Sequence, residues 1–131
     1  MREILFRGKR LDKGEWAEGY LLYDEERNKA YIAENFEERS AFIRKVVPNT
    51  VGQYTGLTDK NGEKIFEGDI VKTFKFNTPN KLYIITFDLL FGAFIGERGD
   101  TMYFTTFDGD SDQFEIIGNI HDNPELLKGG E

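Results

Sequence analysis

Apolar side chains recur at every second position along much of the chain, which predicts short β-strands joined by tight turns. The segment from Trp16 to Tyr23 alternates in this way and is apolar on much of both faces, which predicts an interior strand. Further strands are predicted at residues 3–7, 30–33, 41–47, 70–76, 82–87, around 91–95, 101–107 and 114–120. The pattern therefore predicts a mainly β fold.

Glycine-containing turns separate the predicted strands. The dipeptide Asn61-Gly62 predicts a two-residue type I′ turn, because both central residues of that turn need a positive φ. Gly68 and Asp69 predict a second sharp turn that leads into the strand at 70–76. This arrangement favours small barrel-like sheets that include an SH3-like element.

Helical structure is predicted only as one or two short turns. At the C-terminal end Pro124 suits the first position of a helical turn, with Asn123 as its N-cap. A chain of 131 residues suits one domain, 1–131, within which we expect two sub-lobes, 1–50 and 51–127, that share a core.

The composition restricts the chemistry and the compartment. The chain has no cysteine, which excludes disulfides, thiolate nucleophiles and cysteine-ligated metal sites. Small secreted domains usually need disulfides, so their absence favours the reducing cytoplasm. The N-terminus lacks the apolar run of a signal peptide, and no stretch of about 18 apolar residues predicts a transmembrane helix. We therefore expect a soluble, cytoplasmic protein.

The net charge of −7 is unevenly distributed along the chain. Residues 1–87 carry 15 basic and 14 acidic side chains, whereas residues 88–131 carry 2 basic and 10 acidic ones. An acidic surface repels the phosphates of nucleic acids and suits a basic partner, although it also serves solubility alone.

Three motifs stand in order along the chain. They are Met1–Arg10 with Gly14–Trp16 and Gly19–Leu21, then Thr50–Gly62 with Glu67–Val71, then Ile116–Leu127. These motifs resemble the opening, central and C-terminal signatures of the YopX family of phage proteins, and together they span nearly the whole chain. The resemblance implies a phage or prophage product in the bacterial cytoplasm. It implies no biochemical activity, because the family is itself of unknown function, and it supplies no catalytic residues.

The sequence contains no clear pair of nucleophile and general base. Its serines are Ser40 and Ser111, and its one histidine is His121. Nucleophilic catalysis needs a hydroxyl or thiol next to a base, and no spacing here suggests such a pair. We therefore predict no catalytic residues and no cofactor.

A second chemical pattern is the acidic loop with Asp108, Asp110 and Asp112, whose spacing is that of the start of an EF-hand calcium loop. Position six of that loop should be Gly and is Gln113, and position twelve should be Glu and is Asn119. A solvated hairpin loop is the simpler interpretation. A weak calcium or magnesium site, or a weak metal-dependent enzyme, is the alternative.

Basic residues offer contacts for nucleic acid or for an acidic partner. Arg7, Lys9 and Arg10 form one group, and Lys72 and Lys75 form another within an aromatic strand. Strand geometry places Lys75 on the face opposite to Lys72 and the strand's two phenylalanines, so that segment makes a poor stacking platform. Nucleic-acid binding is therefore the second hypothesis.

The first hypothesis is a non-catalytic interaction module that binds a host or phage protein. Self-association through uncovered sheet edges is a further expectation.

Overall fold

The computed structural model describes residues 3–34, 42–73, 82–98, 102–105 and 114–127. Its strands are β1 (Phe6–Lys9), β2 (Trp16–Asp24), β3 (Lys29–Glu34), β4 (Phe42–Val46), β5 (Gly52–Thr58), β6 (Lys64–Phe66), β7 (Asp69–Thr73), β8 (Leu82–Asp88), β9 (Ala93–Arg98), β10 (Met102–Thr105) and β11 (Phe114–Asn119). Within these ranges the only helices are two 3₁₀ turns, Pro48–Thr50 and Pro124–Leu127. The predicted mainly β fold is confirmed.

Two antiparallel sheets contain the eleven strands of the described ranges. Their orders are β4-β3-β2-β1-β5-β6 and β10-β9-β8-β7-β11. The chain divides into two compact units, unit 1 (Met1–Tyr54) and unit 2 (Thr55–Glu131), and β5 crosses the boundary between them. The predicted single domain of 1–131, with sub-lobes 1–50 and 51–127, stays a prediction.

Unit 1 is built on a meander of β1 to β4. An isolated bridge between Arg10 and Val46 brings the end of β4 to the end of β1. The first four strands therefore curl back on themselves. Among the described residues neither sheet is a closed barrel, so the expected barrel character is limited to this curl.

The core of unit 1 contains small residues because its strands approach closely. Ala17, Ala30, Ile32 and Val46 are buried and form one cluster. A side chain at Gly8 would meet Val46 at 2.8 Å. Glycine at this position allows β1 to pack directly on the core.

The first strand lies further along the chain than predicted. The sequence favours a strand at 3–7, but β1 runs from Phe6 to Lys9. The strand continues through Gly8 because that residue pairs with Ala17 of β2. The turn comes later, where Gly14 adopts a φ of 69°.

The core of unit 2 lies on one face of the β7–β8–β11 part of its sheet. Ile65, Val71, Tyr83, Ile85 and Phe114 are buried together. The register of β11 on β7 shifts at a bulge between Ile116 and Gly118. The alternation of apolar residues in the second half of the chain predicts strands with one buried face, and these side chains form that face.

The turn between β5 and β6 differs from the predicted type. Gly62 has a φ of 82°, but Asn61 does not have a positive φ, so the turn is not type I′. Gly62 N donates to Asp59 O at 3.0 Å, and Asp59 N donates to Glu63 O at 2.8 Å. This is a three-residue loop in which a type I turn is followed by a left-handed glycine.

The turn after β6 agrees with the sequence. Gly68 has a φ of 91°, which suits the second central position of a tight turn. Asp69 is buried, and its Oδ2 accepts a hydrogen bond from Phe66 N at 2.8 Å. At the C-terminal end, Pro124 opens a 3₁₀ turn as expected, but the Asn123 side chain accepts from Asn119 N rather than capping that turn.

Candidate functional site

The residues singled out for catalysis and metal binding are mostly outside the described ranges. This holds for Ser40, Ser111, Asp108, Asp110 and Asp112, so the metal hypothesis stays a prediction that calcium calorimetry can test. Within the described residues no group of three histidine, aspartate or glutamate side chains could hold a metal ion. His121 lies in the turn after β11, where its backbone N donates to Asn119 Oδ1 at 3.0 Å.

The first basic group separates into two environments. Arg7 and Lys9 lie on the same face of β1, next to Trp16 on β2. The Arg7 guanidinium carbon lies 4.5 Å from the centre of the Trp16 ring and Lys9 Nζ lies 5.9 Å from it. Both cations are thus placed for cation–π contact with the single tryptophan.

Arg10, in contrast, is held by acids. Its Nε and Nη2 donate to the two carboxylate oxygens of Asp12 at 3.0 and 2.8 Å, and Glu15 lies 3.8 Å away. The hydrogen bonds from Arg10 hold the pKa of the Asp12 carboxyl below its usual value. Arg10 is therefore already engaged within unit 1.

In the second basic group, Lys72 also lies close to an acidic side chain. Lys72 lies 3.9 Å from Glu115 on the neighbouring strand β11, and Lys60 lies 3.7 Å from the same carboxylate. Lys75, its predicted companion, lies outside the described residues. The described part of this group does not form a continuous basic strip.

Sequence reasoning missed an exposed apolar turn between β8 and β9. Leu89 and Leu90 are 89% and 90% exposed, and Phe91 is 56% exposed. The sequence places Phe91 in a strand, but the structure places it in the turn that precedes Ala93. We call Leu89, Leu90 and Phe91 the tip.

The conformation of the tip is set by Asp88 at its start and by Gly92 at its end, where φ is 62°. Asp88 Oδ1 accepts hydrogen bonds from Leu90 N at 2.8 Å and from Phe91 N at 3.1 Å. An aspartate that caps the turn it begins is the signal that could have identified this loop.

The hairpin of β8 and β9 carries the tip. Phe87 pairs with Phe94 and Asp88 pairs with Ala93. Among the described residues, the pairing of β8 with β7 reaches Ile84 and that of β9 with β10 begins at Ile95. The rings of Phe87 and Phe94 pack edge to face with centroids 5.0 Å apart. We call residues 87–94 the arm.

Unit 1 carries an apolar cleft of about 580 Å³, which we call the cleft. Its lining residues are Leu21, Tyr23, Asn28, Val47, Pro48, Asn49 and Val51. Tyr23 Oη donates to Asn28 Oδ1 at 2.7 Å. No charged side chain is among these described lining residues, and the volume is within the usual range for ligand sites.

Comparison with known proteins decides the family. The family model described as YopX protein matches residues 5–128. This chain belongs to the YopX family. A search of the curated proteins found no match.

A solved structure supports the fold of this YopX protein. The crystal structure of protein EF1440 from Enterococcus faecalis is similar, with a TM-score of 0.53 and 25% sequence identity. The match covers 98% of this chain and 100% of that one. Among the described residues of the YopX chain, no helix is long and apolar enough to cross a bilayer.

Two of the three motifs that carry the YopX resemblance, the central one and the C-terminal one, meet in unit 2. The central motif forms β5 and the loop with Asp59, and the C-terminal motif begins in β11. Asp59 Oδ2 accepts a hydrogen bond from Ile116 N at 3.0 Å, 57 residues away. These motifs therefore hold the fold together, whereas the tip and most of the cleft lie outside them.

Proposed function

We propose that this YopX protein is a non-catalytic interaction module that binds a protein of a phage or of its bacterial host in the cytoplasm. The tip is its contact surface. The observation that carries the proposal is the near-complete exposure of Leu89 and Leu90 at the end of an ordered arm. Exposed contiguous apolar side chains mark interaction sites more often than single ones do.

The energetics favour a protein contact at the tip. Full burial of a leucine side chain contributes about 1.5–3 kcal/mol. The hydrogen bonds from Leu90 N and Phe91 N to Asp88 already order the backbone. Binding then costs less conformational entropy than it would for a mobile loop.

Charge favours a partner with a basic rim. Residues 88–131 carry 10 acidic and 2 basic side chains. A partner that presents an apolar pocket surrounded by lysine or arginine would match both properties.

Affinity capture tests this function. The wild-type protein, the tip variant Leu89→Ser/Leu90→Ser and the control Leu11→Ser are each immobilised and exposed to lysates of phage-carrying bacteria. Leu11 is a matched control because it is an apolar residue of unit 1 that is 54% exposed. We expect the wild type and the control to retain the same protein and the tip variant to lose it. Equal recovery by all three would contradict the proposal.

Nucleic-acid binding is a second candidate, supported by Arg7 and Lys9 against Trp16. Cations next to an aromatic ring are a common element of single-strand binding surfaces. Retardation of single-stranded DNA at low salt, lost in Arg7→Glu/Lys9→Glu, would favour this function. The absence of any shift would remove it.

A further inference from the structure

The sheet of unit 1 carries aromatic side chains on the side opposite to its core. Trp16 and Tyr20 lie four residues apart on β2, and Tyr31 of β3 is paired directly with Leu22 of β2. Because side chains alternate along a strand and directly paired residues share a side, the three rings lie on one side of β2 and β3. The buried cluster of unit 1 lies on the other side. Tyr20 is 46% exposed. We call the side of β1–β4 that carries Trp16, Tyr20 and Tyr31 the aromatic face.

Basic side chains lie on the same face as these rings. Each is paired directly with a residue of the aromatic face, and they are Arg7, Lys9, Lys29 and Lys45. Lys9 lies opposite Trp16, and Lys45 lies opposite Tyr31. A cation therefore stands beside an aromatic ring both on the β1–β2 pair and on the β3–β4 pair.

The acidic charge of the chain belongs to unit 2. Residues 1–54 carry 10 basic and 10 acidic side chains, whereas residues 55–131 carry 7 basic and 14 acidic ones. Within the described strands β1–β4, the aromatic face holds two acids, Glu18 and Asp24, against its four cations. Asp24 also accepts a hydrogen bond from Arg27. The aromatic face is therefore cationic, although the chain as a whole is acidic.

We infer that the aromatic face binds single-stranded nucleic acid, DNA or RNA, with bases stacked on its rings and phosphates at its cations. The inference rests on the second candidate function and deepens it, because it names the surface and the form of the ligand. Aromatic rings stack on the open bases of a single strand, and cations next to them follow its backbone. In a duplex the bases are stacked on one another, so the rings have less to contact.

Fluorescence anisotropy of a labelled oligothymidylate tests the inference on the full chain. A length of about 12 nucleotides lies within the site sizes of small β folds that bind single strands. The affinity should fall by up to about 50-fold between about 50 and 200 mM salt, as expected of as many as four phosphate contacts. Oligouridylate of the same length tests RNA, and duplex DNA of that length should bind more weakly. The fluorescence of Trp16, the one tryptophan of the chain, should be quenched on binding.

Two variants separate stacking from charge. Tyr20→Ala should weaken binding by about 5-fold or more and leave its salt dependence unchanged. Tyr23→Ala is the control, because Tyr23 lies on the opposite side of β2 and is 53% exposed. Lys45→Gln should reduce the slope of log affinity against log salt by about 0.7, whereas Lys64→Gln, in β6 of unit 2, should leave the slope unchanged. Circular dichroism of each variant checks that it is folded.

Failure to bind and binding elsewhere have different consequences. A wild type that binds neither oligonucleotide at about 50 mM salt would overturn this inference and the second candidate function together. Unchanged binding in both Tyr20→Ala and Lys45→Gln would overturn this inference alone, and so would a duplex that binds as tightly as the single strand. The tip variant Leu89→Ser/Leu90→Ser should bind the oligonucleotides like the wild type, and loss of binding there would move the contact away from the aromatic face. Capture of a protein by the tip is therefore tested independently.

Discussion

Asp59 illustrates how one buried side chain can organise a turn and a distant strand. Its Oδ1 accepts hydrogen bonds from Asn61 N at 2.9 Å and Glu63 N at 3.0 Å, and its Oδ2 accepts one from Ile116 N. The side chain is 2% exposed. A carboxylate with three backbone donors is stable in such a place, because the donors replace the water that it loses.

We predict that Asp59→Ala destabilises the protein by about 2–4 kcal/mol, since three partly buried N–H groups lose a charged acceptor. The stability of Asp59→Asn should lie between those of the wild type and Asp59→Ala, because its amide nitrogen would face one of these donors. Urea unfolding measures both changes. The control Glu63→Ala alters an exposed side chain in the same loop, and equal destabilisation by Asp59→Ala and Glu63→Ala would contradict the prediction.

The Asp24 carboxylate makes a contribution to stability that depends on pH. The side-chain hydrogen bond from Arg27, followed by the backbone hydrogen bond from the same residue, lowers the pKa of Asp24 below its usual value. Because this pKa is lower in the folded state, the stabilisation is present above the unfolded pKa. It is lost as the pH falls through the folded pKa.

We predict that Arg27→Gln raises the pKa of Asp24 towards its usual value without restoring it completely, because the backbone donor at residue 27 remains. An NMR titration of the Asp24 carboxyl carbon measures this change. Lys29→Gln serves as the control, since Lys29 is the cross-strand neighbour of Asp24 and donates no hydrogen bond in the turn. A larger shift from Lys29→Gln than from Arg27→Gln would contradict the assignment.

At the scale of elements, local pattern predicted strands well and loops poorly. The alternation in β2 predicts an interior strand, and the structure places it between β1 and β3. The β5–β6 loop was assigned the wrong turn type, because the Asp59 carboxylate binds the loop from within and also reaches β11. Such a contact across 57 residues has no local sequence pattern.

The error in the arm is different, because a residue of the turn is predicted to lie in a strand. Leu89, Leu90 and Phe91 are residue types that suit a buried strand, and the apolar pattern predicts a strand that begins around Phe91. The Asp88 side chain instead turns the backbone at this point. The part of the candidate site that sequence analysis missed is therefore an apolar run that is exposed rather than packed in the core.

We predict that Asp88→Ala loosens the tip while leaving the two sheets intact, because it removes the acceptor for Leu90 N and Phe91 N. Hydrogen exchange followed by NMR should show faster exchange at these two amides, by roughly tenfold for the loss of about 1.4 kcal/mol per hydrogen bond. Asp88→Asn keeps an acceptor oxygen and should preserve most of the protection. Unchanged exchange in Asp88→Ala would show that the turn is held by other contacts.

At the scale of the whole molecule, β5 crosses the boundary between the two units and is bonded within each of them. Gly52 and Gln53 pair with β1, and Thr55 Oγ1 donates to Ile65 O of β6 at 2.9 Å. β5 therefore supplies hydrogen bonds to β1 in unit 1 and to the β5–β6 hairpin in unit 2. Loss of either unit should weaken the strand that the other requires.

We predict that the chain unfolds in a single transition, as expected of one cooperative domain. Trp16, the one tryptophan of the chain, lies in β2 of unit 1, so its fluorescence follows that unit. Asp59→Ala alters unit 2 alone. If unfolding is cooperative, it should lower the urea midpoint reported by Trp16 as much as the midpoint reported by far-ultraviolet circular dichroism. A Trp16 transition that stays at its wild-type midpoint while circular dichroism shifts would instead show that the units fold independently, despite the strand that runs through both.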